Sequence, residues 1–521
     1  MNRLRTATLA LVVATAAARA HFVLIVPDAK VPGKVAVVFS DTLGPDESVE
    51  IAKIAGLKLT CRDVTDAATA VEHKTESHAL TAMLPGKGPR LVSGRVEYGV
   101  MQRGDDKPFL LVYHPKALVG GSSATLGESA PVELVPAGEP GQPRLRFLAA
   151  GKPVADVEVT IMKTDGPSEK VKTDKDGRTP VLSIVGRYGA WAKHSEAKSG
   201  ELGGKKYAEV RHYATLVADA PAASKYPPLP EAVSSLGAIV SDGYLYVHGG
   251  HAGRTHTYST ETASGKFHRL KLAGGTAWEE LPGGPGLQGM NLAAHGGKIY
   301  RVGGMQPRNK PGEKSDNHSV ADCARFDPAT RTWEAMPPLP EGRSSHELVT
   351  CGDLLVVVGG WVMKGSAEPV WPQTALVMDL AAAKPEWKAV PQPFQRRALT
   401  AAAVSGKVYV CGGLTDAEMT ATTRRVDVFD PKTGAWSKGP DFPGAEGTGF
   451  SPAACEQNGK LVLSTSDGLV HRMNGATWEL VGTVSLPRRV HRLVADGPTL
   501  LAIGGASREG NVRAVEAVVP Q

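Results

Sequence analysis

A short apolar strand ending in a pair of glycines recurs through the second half of this chain, and no other feature restricts its fold as strongly. The strands are Tyr244-Leu-Tyr-Val-His-Gly249-Gly250, Ile299-Tyr-Arg-Val-Gly303-Gly304, Leu354-Leu-Val-Val-Val-Gly359-Gly360, Val408-Tyr-Val-Cys-Gly412-Gly413 and Leu500-Leu-Ala-Ile-Gly504-Gly505. Successive pairs are 54, 56 and 53 residues apart, then 92. The long gap holds Lys460-Leu-Val-Leu-Ser464-Thr465, which occupies the same slot without its glycines and brings the units to six. A fixed period of this length marks a repeat architecture whose units bury a shared core only by packing on one another.

Each unit carries further punctuation. Turns such as Phe326-Asp-Pro-Ala-Thr-Arg-Thr-Trp333 and Phe429-Asp-Pro-Lys-Thr-Gly-Ala-Trp436 join two strands, with Trp278, Trp387 and Trp478 in the matching place elsewhere. Asp-Pro initiates such a turn and the following Thr or Gly completes it. A Pro-rich connection follows, as in Met336-Pro-Pro-Leu-Pro340. The pattern predicts one four-stranded sheet per unit, with a Trp packed between neighbouring sheets. It resembles the Kelch family, over about residues 226–519, and the resemblance implies a six-bladed β-propeller. The last unit lacks its own Trp-bearing outer strand, and Tyr226-Pro-Pro-Leu-Pro230, just before the first unit, is expected to close the ring.

Ahead of the repeats the chain is also all-β. Residues 21–130 and 131–217 are expected to form two β-sandwich domains of immunoglobulin-like type, joined by a linker at 218–225 to the propeller at 226–521. Alternating runs such as Phe22-Val-Leu-Ile-Val26, Lys34-Val-Ala-Val-Val-Phe39 and Phe109-Leu-Leu-Val-Tyr113 support the first. Gly151-Lys-Pro-Val-Ala-Asp-Val-Glu-Val and Thr173-Asp-Lys-Asp-Gly177 in the second resemble small transthyretin-like folds. The His21-Phe start, Tyr98-Gly-Val and the stretch from His194-Ser-Glu196 to His212-Tyr-Ala-Thr together resemble a periplasmic family associated with nickel and cobalt uptake. That resemblance implies a metal-handling setting and no defined reaction.

Residues 1–20 read as an export signal: Arg3 and Arg5, an apolar run from Leu9 to Ala18, then Ala18-Arg19-Ala20 as a cleavage site. Export places the mature protein in the periplasm or outside the cell. Removing Arg3, Arg5 and Arg19 takes the formal charge from +6 to +3, which leaves nucleic acid without its electrostatic support as a partner. No other stretch is apolar enough to span a membrane. The five cysteines, Cys61, Cys323, Cys351, Cys411 and Cys455, show no C-x-x-C spacing and are expected to act as small hydrophobes.

Two constellations carry candidate chemistry. After cleavage His21 presents its α-amine beside its imidazole, a chelate suited to copper or nickel, with His194, His212 and Glu196 as further ligands. His114 is expected to serve structure alone. On the propeller, Arg343, Arg396 and Arg488 each stand 16 residues before a Gly pair, with Arg397 and Arg489 one step on. Val233, Leu287 and Thr448 fill that offset in the other units. Equivalent positions on a ring converge on one end of the axis, where guanidiniums suit a carboxylate. His346 and His491 share a register three residues further on and are expected to pack in the channel wall.

The chain is therefore expected to be an exported binding protein, with a metal-handling front and a propeller that recognises a protein or a small acidic ligand. The alternative is a propeller enzyme similar to the sialic acid mutarotases, with Glu347 offered as its base, or to galactose oxidase. A purely structural module is the third reading.

Overall fold

The computed structural model describes residues 21–63, 67–86, 88–121, 130–164, 166–220, 223–416, 420–445 and 447–518. The expected export signal lies outside the described residues. Regular structure among them is strand throughout, apart from a single 3-10 turn at Ile51–Ile54.

The front of the chain is built on one eight-stranded sheet, and that sheet crosses the expected boundary near residue 130. Strand Glu209–Ala220 runs parallel to Phe109–Val119, so the later segment pairs directly with the earlier one. Two separate sandwiches would each have closed on sheets of their own; here the central sheet is shared. The reason is visible in Phe109–Val119, buried at every residue but the last, which needs cover on both faces. One face packs on the sheet containing Phe22–Pro27 and Lys34–Ser40, through a core of Phe22, Val37, Phe39 and Tyr113. The other packs on Val132–Glu139 and Gln142–Ala149, through Leu134, Phe147 and Leu216. Lys116 lies within the shared strand and is neutralised by Glu133 at 2.7 Å, with both side chains buried. The expected linker begins inside a strand, since Glu209–Ala220 continues through its first three residues.

Beyond it, six antiparallel sheets follow in chain order. The first runs Gly237–Ser241, Tyr244–His248, Phe267–Lys271 and Glu279–Leu281. The next four repeat this four-stranded order, and the sixth has three strands, Arg492–Asp496, Thr499–Ile503 and Val515–Val518. The paired glycines stand where a strand leaves the axis. Gly359 and Gly360 have φ of +66° and +86°, and a Cβ on Gly360 would lie 2.7 Å from the Ser344 carbonyl oxygen. Only glycine tolerates that backbone and that approach.

Two sets of hydrogen bonds tie each of the first five sheets to its predecessor, the first sheet being tied to the sixth. Five tryptophans donate their indole N–H to a proline carbonyl in the connection preceding their own sheet: Trp278 to Pro227 (3.2 Å), Trp333 to Pro282 (2.8 Å), Trp387 to Pro337 (3.0 Å), Trp436 to Pro391 (2.9 Å) and Trp478 to Pro440 (3.1 Å). At the axis, each sheet enters through one residue of positive φ: Ser235, Gly289, Ser345, Ala398, Ser451 and Val490. Amides there donate to the preceding counterpart, Gly289 to Ser235 (2.8 Å), Ser345 to Gly289 (2.7 Å), Ala398 to Ser345 (2.9 Å) and Ser451 to Ala398 (2.9 Å). Ser235 in turn donates to Val490 (2.9 Å), which links the first sheet back to the sixth.

The segment expected to complete the sixth sheet lies along its outer edge without becoming a strand. Ser224 donates its hydroxyl to the Val515 carbonyl, and the Leu229 amide donates to Arg513 at 2.7 Å. Pro227 and Pro228 have no N–H to offer a ladder, which limits this edge to isolated hydrogen bonds. Pro227 nonetheless receives Trp278, the place a proline takes in the other connections. Trp278→Phe keeps most of the ring and removes that donor, so it is expected to cost about 1 kcal/mol. A lowered thermal midpoint in Trp278→Phe and in Trp436→Phe checks this; an unchanged midpoint in both contradicts it.

Candidate functional site

The arginines 16 residues before the Gly pairs do not open onto the axis. Arg343, Arg396 and Arg488 are all buried, and each turns back into its own sheet. Nη1 of each donates to the first glycine of its own pair: Arg343 to Gly359 O (3.0 Å), Arg396 to Gly412 O (2.9 Å) and Arg488 to Gly504 O (3.3 Å). The same nitrogens reach a carbonyl at the start of the third strand, Thr374 for Arg343 and Ala514 for Arg488. Nη2 of Arg396 pairs with buried Asp427, and Nη2 of Arg488 with Glu516. Burial holds all three guanidiniums below their usual range, Arg343 at about 10. They staple the exit of the second strand to the entry of the third, so the expected acid-binding role is corrected for these three. In the fifth unit the equivalent residue is Gly449, whose carbonyl receives the Gly413 amide as Arg343 O receives Gly304 and Arg396 O receives Gly360; the expected Thr448 is one position early.

Their neighbours are placed differently. Arg397 and Arg489 sit immediately before Ala398 and Val490, at the lip of the hydrogen-bonded ring. Arg397 lies over Trp361, 3.9 Å from the ring centroid, with Trp371 at 5.7 Å. It is 6% exposed, yet its Nε and Nη2 have no partner. Burial pushes it down to about 10, and Tyr258 and Asp416 are the groups that oppose the shift. Arg489 is exposed, 6.0 Å from the ring of Phe450. Gln288, at the same step of the second sheet, has a buried Oε1 without a partner. Aromatic faces and unsatisfied polar atoms are therefore found one residue away from the ring positions.

Inside the ring the channel is narrow. A space of about 50 Å³ is bounded by the six ring residues with His346, His491 and Arg492. An ordered water needs roughly 10–15 Å³ of such space, so there is room for only a few waters. Below it Arg492 of the sixth sheet reaches across to Glu347 of the third at 2.7 Å. Its Nε donates to Leu236 O at 2.7 Å and its Nη2 to Met290 O at 2.6 Å. Glu347, expected as a base, is thus the buried half of an ion pair. His346 and His491 pack beside it as expected, and burial pushes both down to about 3.

The candidate metal ligands divide between the two faces of the front sheet. His21 donates its Nε2–H to Asp46 Oδ2 at 2.8 Å, on the face with Phe39. Ser48, through its hydroxyl and amide, and then His21 pull the Asp46 carboxyl down to about 2. His212 lies beyond the sheet: it contacts Glu196 at 3.3 Å through Nε2 and His114 at 3.0 Å through Nδ1. His194 is the strand partner of His212. Side chains alternate across a strand, which puts Tyr113 and Tyr213 on the His21 side and His114 and His212 on the other. Among the described residues no group of three or more His, Cys, Asp or Glu side chains is arranged to hold a metal ion. His114, expected to serve structure alone, shares a hydrogen bond with the imidazole of His212. The five cysteines are free thiols; burial raises Cys323 to about 11 and Cys411 to about 12, which suits packing rather than redox chemistry.

Sequence reasoning missed Trp361, Trp371, Tyr258 and Arg492. The signal for Trp361 was available, since it directly follows Gly359-Gly360. The others sit in loops or strands whose approach to the axis depends on the third dimension.

Residues 395–443 match the Kelch motif. The C-terminal part of this chain is a Kelch-repeat propeller. Kelch-like protein 35 of Mus musculus is 24% identical over 260 residues, covering 49% of this chain and 38% of the relative. N-acetylneuraminate epimerase of Haemophilus influenzae is 32% identical over 144 residues, covering 26% of this chain and 34% of the relative. The chain thus spans less than half the length of either relative. Among solved structures, that of YjhT aligns over 56% of this chain and 95% of its own, with 16% identity and a TM-score of 0.46.

Two outcomes test this assignment of roles. Asp427→Ala strands the Arg396 charge in the interior and is expected to destabilise the propeller by about 3–5 kcal/mol, read from denaturant unfolding; a loss below 1 kcal/mol contradicts the stapling role. The second concerns pH. His114, His248, His346 and His491 are pushed by burial from 6.5 to about 3. The unfolded chain therefore takes up these protons first. The stabilisation is complete above pH 6.5 and declines as pH falls towards 3, by about 1.4 kcal/mol per unit for each histidine. The urea midpoint at pH 5 is expected well below that at pH 7.5, and a flat profile contradicts it.

Proposed function

We propose that the six sheets are the blades of one propeller, and that its axial face recognises a small acidic ligand of the carboxylated-sugar class. The observation that carries this is Arg397: a buried guanidinium stacked on Trp361, with two nitrogens unpartnered, at the lip of the opening. A buried charge without a partner is costly, and a carboxylate accepting from that edge would supply the missing bonds. Trp361, Trp371 and Tyr258 supply flat apolar surfaces of the kind a sugar ring packs against. Arg489 adds a second, solvent-facing cation. In this reading the protein is exported by its first twenty residues and meets its ligand outside the cytoplasm.

A second reading is favoured by the similarity to N-acetylneuraminate epimerase: the bound sugar acid is also interconverted between anomers. Glu347 is then the proton-handling group, with Arg492 as its ion-pair partner. A ligand seated on the lip would communicate with them through the small space inside the ring, which has room for a few waters. Binding and turnover separate cleanly in variants.

Calorimetric titration with N-acetylneuraminate tests the first reading. Arg397→Gln is expected to weaken binding at least tenfold, the worth of a charge-assisted hydrogen bond, and Arg489→Gln far less because that side chain is solvated. Wild-type affinity in Arg397→Gln contradicts the site. Anomer interconversion followed by NMR tests the second: Glu347→Gln abolishes acceleration and spares binding if the pair acts, whereas an uncatalysed rate with wild-type protein excludes turnover.

A further inference from the structure

A second recessed site lies where the front unit meets the propeller, about 390 Å³ in volume and far roomier than the axial space. That size falls within the range of small-molecule sites, roughly 300–1,000 Å³, and such sites favour domain junctions. Its wall on the front side comes from strands Val132–Glu139 and Gln142–Ala149, and on the propeller side from Leu486, Pro487 and the Ser507–Glu509 turn.

The lining carries three cations, Arg144, Arg146 and Arg508, against two carboxylates, Asp219 and Glu509. Glu509 reaches across from the propeller and is held by Arg146 through both nitrogens, at 2.7 and 2.8 Å, and also by Arg178. Asp219 is engaged by Arg187 in a two-point pair at 3.0 and 3.1 Å. Both carboxylates at the site are therefore spent on arginines. Arg144, which lines the same space, is bonded to a neutral partner, the Thr179 carbonyl at 3.0 Å. The rest of the lining is chiefly apolar, with Val135, Pro143 and Leu148 among it.

We propose that this junction binds a compact amphipathic anion, with an apolar body against the proline-rich wall and its single negative group on Arg144. Because the wall belongs to both units, the ligand clamps the front unit to the propeller. The site is distinct from the axial face and stands whether or not that face binds a sugar acid.

The probe is 8-anilinonaphthalene-1-sulfonate, an aromatic body with one sulfonate, titrated into the full chain by fluorescence. One site with enhanced emission is expected. Arg144→Gln is expected to weaken it about tenfold, and Ala137→Trp, which fills the space, to abolish it. The uncharged analogue N-phenyl-1-naphthylamine is expected to bind at least tenfold more weakly than the sulfonate. N-acetylneuraminate is expected not to displace the dye. Wild-type dye affinity in Arg144→Gln, or equal affinity for the uncharged analogue, overturns the anionic character. Dye binding that survives in a folded Ala137→Trp protein overturns the site itself. Should that variant fail to fold, Arg144→Gln, on a partly exposed side chain, keeps the comparison decisive.

Discussion

At the axis of the propeller each sheet enters through a residue of left-handed backbone, and in the first five sheets its amide donates to the carbonyl of the preceding counterpart. Five such hydrogen bonds run through Ser235, Gly289, Ser345, Ala398 and Ser451 to Val490. Small residues, none of them β-branched, take five of the six places, and only Gly289 adopts positive φ without a Cβ penalty. Val490, β-branched at φ +49°, is the exception, and stands where the last sheet meets the first. Strain of about 1–3 kcal/mol at such a residue persists only when its surroundings over-determine it. The inward ring and the outward tryptophan-to-proline bonds together leave each sheet little freedom to shift.

Much of this was legible in the chain. The Gly-Gly pairs, the Asp-Pro turns and the tryptophans each sit where the sheets need them, because strand exits, turns and inter-sheet packing impose local residue choices. The fifth unit shows the limit: without glycines its register read one residue early, and only the Gly413–Gly449 hydrogen bond sets it right. The arginines show another. Their common offset identified a common place, but not the direction of the side chain. Arg343, Arg396 and Arg488 face inward to glycine carbonyls, while Arg397, one residue later, lies on Trp361 at the lip. A single step along an extended chain reverses a side chain's facing. The same alternation divided His21 from His194 and His212, and it is invisible until the strands are paired.

The front unit departs furthest from expectation, for a related reason. Alternating runs identify strands but not their neighbours, and parallel pairing of Phe109–Val119 with Glu209–Ala220 joins segments about a hundred residues apart. That pairing makes one continuous sheet from what read as two domains. It also brings Arg146 and Arg178 to Glu509, so the front unit and the sixth sheet share an ion cluster. The recessed junction beside it is a consequence of that docking.

The axial face is where fold and chemistry meet: a ring of backbone hydrogen bonds, with a buried cation carrying unsatisfied donors one residue before it. A crystal structure of the protein with N-acetylneuraminate tests that account most directly. The account predicts the ligand carboxylate at hydrogen-bonding distance from Nε or Nη2 of Arg397, with the sugar against Trp361. Ligand density elsewhere on the molecule, with Arg397 bonded only to water, would contradict it.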